Sequence, residues 1–164
     1  MTKTLNGKAV TLVFVYGTLK TGGSNHGLMG GAELIGEAIT VGDHFTMLDG
    51  GYPYTFLEGI CRIKGELFSV EDDATLTRLD RLEGHPDHFM RYPVQVRVQQ
   101  SSDGETYYAD FDCFMYVASR STMNYLKERG RLPIITPDDN GICEWLRQWP
   151  ERAASKAHKQ SKVA

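Results

Sequence analysis

The residues best suited to chemistry fall in two stretches. In the first, VFVYGTLKTGGSN at 13–25, a β-branched and aromatic run ends in Tyr16-Gly17-Thr18-Leu19 and spills into a loop carrying Gly22, Gly23 and Asn25. A glycine directly after a buried strand lets the backbone turn sharply, so that consecutive amide N–H groups converge on one spot. Such a concavity holds an anion or a carbonyl oxygen without any cationic side chain. In the second stretch, LDRLEGHPDHFMRYPV at 79–94, Glu83 closes a helical segment beside Gly84. The negative end of a helix disfavours an ionised carboxyl and raises its pKa, which suits a group that must both take and give a proton.

Each stretch also has a plainer explanation. GTLKTGGS at 17–24 has the glycine spacing and terminal hydroxyl of a phosphate-binding loop, but Gly23 stands where the lysine belongs and Lys20 comes too early. A hairpin or a strand-to-helix connection accounts for the same glycines. Glu83 is either a solvated helix-end carboxylate or a working one. His85 and His88 are three apart with Asp87 between them, yet Gly84 and Pro86 interrupt any helix that would align the two rings, and no cysteine lies nearby, which disfavours zinc. Tyr92, Tyr116 and Tyr125 either line a pocket or sit buried with satisfied hydroxyls.

The elements that must position these residues are mostly strands. Runs at Leu12–Tyr16, Glu33–Thr40, Phe45–Leu48, Cys61–Phe68, Tyr92–Gln99 and Thr106–Val117 are separated by Gly, Asp and Pro turns such as Asp49-Gly50-Gly51 and Ser102-Asp103-Gly104. A capped opening near Ser69 leads into a helix whose stripe is Ala74, Leu76, Leu79 and Leu82 and which stops at Gly84. A second helix is expected over Ser121–Arg129, and a third from Gly141 to Trp149 before Pro150. The whole predicts a β-rich α+β body.

A chain of 164 residues suits one domain, here 1–150, followed by a basic tail at 151–164 that lacks periodicity and reads as mobile. The formal charge of -3 gives no general basic field, so neither nucleic acid nor an anionic membrane is the expected partner. Cys61, Cys113 and Cys143 are odd in number and widely spaced, which argues against a disulfide framework. The opening MTKTLNGKAV is polar, without an apolar stretch of signal length, and the default compartment is cytoplasmic.

Taken together, VYGTL, a downstream Asn25, the GYPY turn at 51–54, LDRLEG and the CFMYV strand at 113–117 resemble the gamma-glutamylcyclotransferase-like family. The nearest branch holds gamma-glutamylamine cyclotransferase and the AIG2-like and YtfP-like proteins. The resemblance runs from about Val13 to about Tyr125. It implies a small, partly closed mixed β-barrel flanked by short helices and no cofactor or metal. It further implies that Tyr16, Gly17, Thr18 and Leu19 hold the gamma-glutamyl part of a small-molecule amide through backbone N–H groups, with Asn25, Arg91 and Tyr116 among the substrate-binding residues. Glu83 becomes the acid/base of a cyclisation to 5-oxoproline with release of an amine. Relatives usually carry a tyrosine two residues before the arginine, where this chain has Phe89, so a hydroxyl is missing unless Tyr92 supplies it. The alternative is a non-catalytic binding module of the same fold.

Overall fold

The run from Lys8 to Val15 is apolar on both sides of the pleat, and its alternation shapes the molecule. Val10, Leu12 and Phe14, with Tyr16 just beyond, enter one core, whereas Val13 and Val15 enter a second. A strand buried on both faces needs strands on either edge and cover on either side. The computed structural model, which describes residues 2–130 and 132–146, supplies both.

Eight strands are present among the described residues: β1 Thr2–Leu5, β2 Lys8–Val15, β3 Glu33–Thr40, β4 Phe45–Asp49, β5 Pro53–Val70, β6 Phe89–Ser102, β7 Glu105–Ala118 and β8 Ile142–Glu144. Two helices, α1 Asp73–Glu83 and α2 Arg120–Arg129, and a 3-10 turn at His26–Met29 complete the fold. β2 pairs antiparallel with β5 (Phe14 opposite Leu67) and parallel with β7 (Phe14 opposite Met115). β7 pairs with β6, β6 with β3, and β3 with β5, so the pairing returns to β2 and closes a ring of five strands. The ring is mixed, because β2 and β7 run parallel while its other pairs are antiparallel. This is the α+β fold that the resemblance implies.

All five ring strands contribute to the first core, through Phe14, Ala38, Leu67, Val96 and Met115 among others. The second core lies outside the ring, where Val13, Val15, Phe68 and Tyr116 meet Leu76 and Leu79 of α1 and Met29 of the 3-10 turn. β5 is long enough to serve twice: its first part pairs with β4 and its second with β2 and β3.

Two local expectations change, and one element is added to them. The polar opening forms a hairpin: Asn6 and Gly7, at φ 50 and 80, turn β1 back onto β2. Asn-Gly between paired runs is a strong hairpin signal, and it is legible in LNGK. The helix expected over Gly141–Trp149 is replaced across 142–144 by β8, which pairs parallel with β5, so sheet pairing overrides a weak helical pattern. Residues 147–149 and the tail expected at 151–164 lie outside the described residues. The cap of α1 falls on Asp72, whose carboxylate accepts the Thr75 N–H at 2.6 Å, while Ser69 is buried within β5.

The buried side of α1 also shifts from the expected stripe. Thr75, Leu76 and Leu79 are buried, Ala74 is exposed, and Leu82 keeps 38% of its surface. Leu79 is fully enclosed, so Leu79→Ala should destabilise the protein by about 3 kcal/mol. A lower denaturant midpoint with unchanged slope is the expected reading.

Candidate active site

Leu76, Leu79 and Glu83 are spaced three and four apart, so Glu83 continues the buried face of α1 by one more turn. A leucine would be ordinary at that place. The carboxyl instead opens into a pocket lined by Phe14, Tyr16, Gly17, Thr18, Tyr52, Pro53, Phe89 and Tyr116. Burial raises its pKa from the ordinary 4.5 to about 7. Desolvation by burial is the cause of this shift, and it acts in the same direction as the helix terminus that Glu83 closes.

The helix end is held in place by a second carboxylate. Arg91 on β6 donates to Asp80 through Nε (2.8 Å) and Nη2 (2.5 Å), and the Tyr116 hydroxyl donates to the same group at 2.7 Å. Burial alone would raise the Asp80 pKa, but these hydrogen bonds outweigh it and hold the carboxyl below its usual value. The pairing is bidentate, which fixes direction as well as distance. After Glu83, Gly84 adopts φ 62, a left-handed conformation that closes the helix and lets the His85 N–H return to the Asp80 carbonyl at 2.9 Å.

The amide loop faces Glu83 from the end of β2. The Tyr16 hydroxyl is buried and donates to the Tyr116 carbonyl at 2.5 Å, tying the loop's first residue to β7. Burial raises the phenol's pKa, so it stays neutral. A side chain at Gly17 would force the loop or Pro53 to move, because a Cβ there would lie 2.7 Å from Cγ of Pro53. Beyond it the loop folds on itself: the Asn25 N–H donates to the Thr18 carbonyl at 3.0 Å and its side-chain amide to the Thr18 hydroxyl at 3.0 Å. His26 Nδ1 lies 2.9 Å from the Leu19 carbonyl, and Glu66 accepts from Thr21. Among the described residues none accepts a hydrogen bond from the amides of Gly17, Thr18 or Leu19. Loop carbonyls are spent on structure and these three donors are left for the pocket.

Of the residues picked out from the sequence, Tyr16, Gly17, Thr18, Leu19, Glu83 and Tyr116 all line this one pocket. Asn25 and Arg91 are not among its lining residues; Asn25 braces Thr18, and Arg91 reaches the site through Asp80 and Tyr116. Tyr92 packs against the ring core, on the other side of β6 from Phe89, so it does not restore the hydroxyl that Phe89 lacks. His85 and His88 serve different partners: His85 Nδ1 accepts the Arg91 N–H, whereas His88 lies beside Tyr52 and Thr122. Tyr125 is half exposed on α2, with the Arg129 guanidinium over its ring. Among the described residues no group of three metal-ligating side chains occurs, and no helix is long and apolar enough to cross a membrane.

Sequence reasoning missed Tyr52 and Pro53 as pocket residues and Asp80 as the anchor of the helix end. GYPY carried the signal for the first two, since a proline flanked by tyrosines after a turn is an unusual strand opening. Nothing local marks Asp80, whose partners are 11 and 36 residues away.

A strand ring flanked by helices, with a raised carboxyl and free amides sharing one pocket, defines the class of protein in which relatives are found. The family model described as gamma-glutamyl cyclotransferase, AIG2-like, matches residues 13–139, and the chain belongs to that family. It is 34% identical over 131 residues to the gamma-glutamylaminecyclotransferase of Rattus norvegicus, covering 74% of this chain and 84% of that one. It is 30% identical to the gamma-L-glutamyl-butirosin B gamma-glutamyl cyclotransferase of Niallia circulans, covering 78% and 79%. A solved AIG2-like protein of Mus musculus superposes with a TM-score of 0.59 at 26% identity, covering 85% of this chain and 98% of that one.

Glu83 links the site to stability. Its charged form is the costly one in the folded protein, so the cost is absent below about 4.5, grows as pH rises, and is complete above about 7. Glu83→Gln should therefore be more stable than wild type at pH 8 by about 2 kcal/mol, a figure discounted because the residue keeps some solvent contact. The gap should close as pH falls to 4.5, and melting curves across that range check it.

Proposed function

We propose that this chain cyclises a gamma-glutamyl amide to 5-oxoproline and releases the amine. The observation that carries the reading is the opening of the Glu83 carboxyl and the uncommitted amides of Gly17, Thr18 and Leu19 into the same pocket. In this reaction the substrate's own alpha-amino nitrogen attacks its gamma-carbonyl carbon. A C–N bond forms within a five-membered ring, the C–N bond to the departing amine breaks, and one proton passes from the attacking to the leaving nitrogen.

The protein's tasks are then few. Holding the glutamyl chain folded supplies the proximity and orientation that an intramolecular attack exploits. The loop amides are suited to the oxygen that gains negative charge, or to the substrate's alpha-carboxylate, because fixed donors need no reorganisation when charge develops. Glu83 accepts the proton as carboxylate and returns it as acid, and a pKa of about 7 makes both forms accessible near neutrality. Tyr116 and Arg91 act behind it by keeping Asp80, and with it the helix end, in place. The named activities of the rat and Niallia relatives support a gamma-glutamyl substrate.

The test is mass-spectrometric detection of 5-oxoproline from gamma-glutamyl-lysine isopeptide, gamma-glutamyl-putrescine, gamma-glutamyl-alanine and glutathione. Release from at least one is expected, with a loss of roughly 10²-fold or more in Glu83→Gln. Undiminished turnover in a folded Glu83→Gln protein would overturn the assignment. With Glu83 as base, kcat/KM should fall as pH drops through about 7. Gly17→Ala, which forces the loop away from Pro53, should lower kcat on the order of 10²-fold while the protein remains folded by circular dichroism.

A further inference from the structure

The cysteines are too widely spaced to suggest a pairing, yet the fold brings two of them into contact. Cys61 on β5 and Cys143 on β8 are 82 positions apart in sequence, and their sulfur atoms lie 3.1 Å apart. Both thiols are free and buried, with 4% and 0% of their surfaces exposed. The Cys61 thiol donates to the Phe45 carbonyl at 2.9 Å, which leaves its lone pairs to face Cys143. A disulfide needs about 2.05 Å between sulfurs, so a shift of roughly 1 Å turns this contact into a bond. Cys113 differs: its thiol faces the Val94 carbonyl at 3.6 Å and bonds to neither of the other sulfurs.

The two sulfurs meet where the C-terminal part of the described chain is fastened to the ring. After α2 the chain first bridges to β4, where the Ile135 N–H donates to the Met47 carbonyl at 2.9 Å and the Asp49 N–H to the Pro133 carbonyl at 2.8 Å. It then adds β8 to β5 over three residues. Two positions past Cys143, the Trp145 carbonyl accepts from Nζ of Lys20 at 2.8 Å, and Lys20 directly follows Leu19 in the amide loop. β8 therefore braces the loop that faces Glu83. A three-residue strand is a weak fastening, because short peripheral elements open at far lower cost than the whole fold. While β8 is closed, burial pushes the Cys143 thiol well above its ordinary pKa and leaves almost no thiolate to react.

We infer that Cys61 and Cys143 are a redox staple: a peroxide joins β8 to β5 through a disulfide between them, and the joined strand holds Trp145, and with it the amide loop, in place. Reaction begins when β8 lifts and a thiolate forms. That thiolate attacks one oxygen of hydrogen peroxide, the O–O bond breaks, and a sulfenic acid forms as hydroxide departs and takes up a proton. Reclosure of the strand returns the second sulfur to contact distance. It attacks the sulfenic sulfur, an S–S bond forms, and the S–O bond breaks with loss of a second water. Two thiols have then lost two electrons and two protons, and one peroxide has become two waters. A dithiol reductant reverses the change by exchange. The staple acts on what holds the loop, whatever substrate the pocket takes.

The experiment treats the reduced full chain with hydrogen peroxide and maps its thiols by mass spectrometry of a non-reducing digest. A Cys61–Cys143 disulfide that dithiothreitol removes is expected, with Cys113 still free. The oxidised protein should melt about 5 °C or more above the reduced one, a gain that Cys113→Ala keeps and Cys143→Ala abolishes. The amides of Lys20 and Thr21, which donate to the Gly17 carbonyl and the Glu66 carboxylate, should exchange with solvent at least about threefold more slowly once the staple has formed. Lys20→Met separates bracing from general stabilisation: its disulfide should still form, but the loop amides should gain no protection. Sulfinic acid at either residue in place of the disulfide, oxidation of Cys113 instead, or thiols that stay reduced would each overturn the inference. So would an unchanged or lower melting temperature on oxidation, or equal loop protection in wild type and Lys20→Met.

Discussion

The site depends on where Leu79 can go. It is fully enclosed between α1 and the outer face of the strand ring, and a helix cannot bury one residue without carrying the residue four positions on to the same side. Glu83 is that residue. The free energy that seats Leu79 thus offsets the cost of desolvating a carboxyl, and the raised pKa is the record of that cost. A surface glutamate at the same helix end would stay ionised and make a poor acid near neutrality.

The two halves of the site come from elements that share packing but not sequence proximity. β2 is buried on both faces, so its end, where the amide loop starts, is fixed by the ring on one side and by α1 on the other. β7 links the halves: the carbonyl of Tyr116 receives the Tyr16 hydroxyl, and its own hydroxyl reaches Asp80 on α1. One residue therefore sets the loop and the helix against each other. The Asp80–Arg91 pair adds β6 to the same frame, and its value lies in bidentate geometry at a half-buried location more than in net stabilisation.

Much of this arrangement is legible in the chain. Alternation and β-branched content mark the strands from β2 to β7, and the edges of β3 coincide with the run read from composition. Gly84 marks the end of α1 and Asn6-Gly7 marks the first hairpin. The failures share a cause. β8 is three residues long and owes its conformation to the edge of β5, and Asp80 owes its role to Arg91 and Tyr116, so neither has a local signature. Arg91 and Asn25 were legible as important residues of the motifs, but sequence spacing does not say whether a side chain meets a pocket or the residue beside it.

By itself the sequence determined the chemical inventory: a glycine-turned loop rich in amides, one carboxylate closing a helix, and strand patterns that bury their owners on one or both faces. Those follow from residue type and periodicity, which act over a few positions. Only the tertiary structure decided that the carboxylate would be desolvated, that the loop amides would have no acceptor among the described residues, and that Tyr52 would stand at the exposed edge of the pocket. Each of these depends on which atoms are absent from or present in the surrounding space, and that space is enclosed by segments tens of residues apart, brought together when the ring closes.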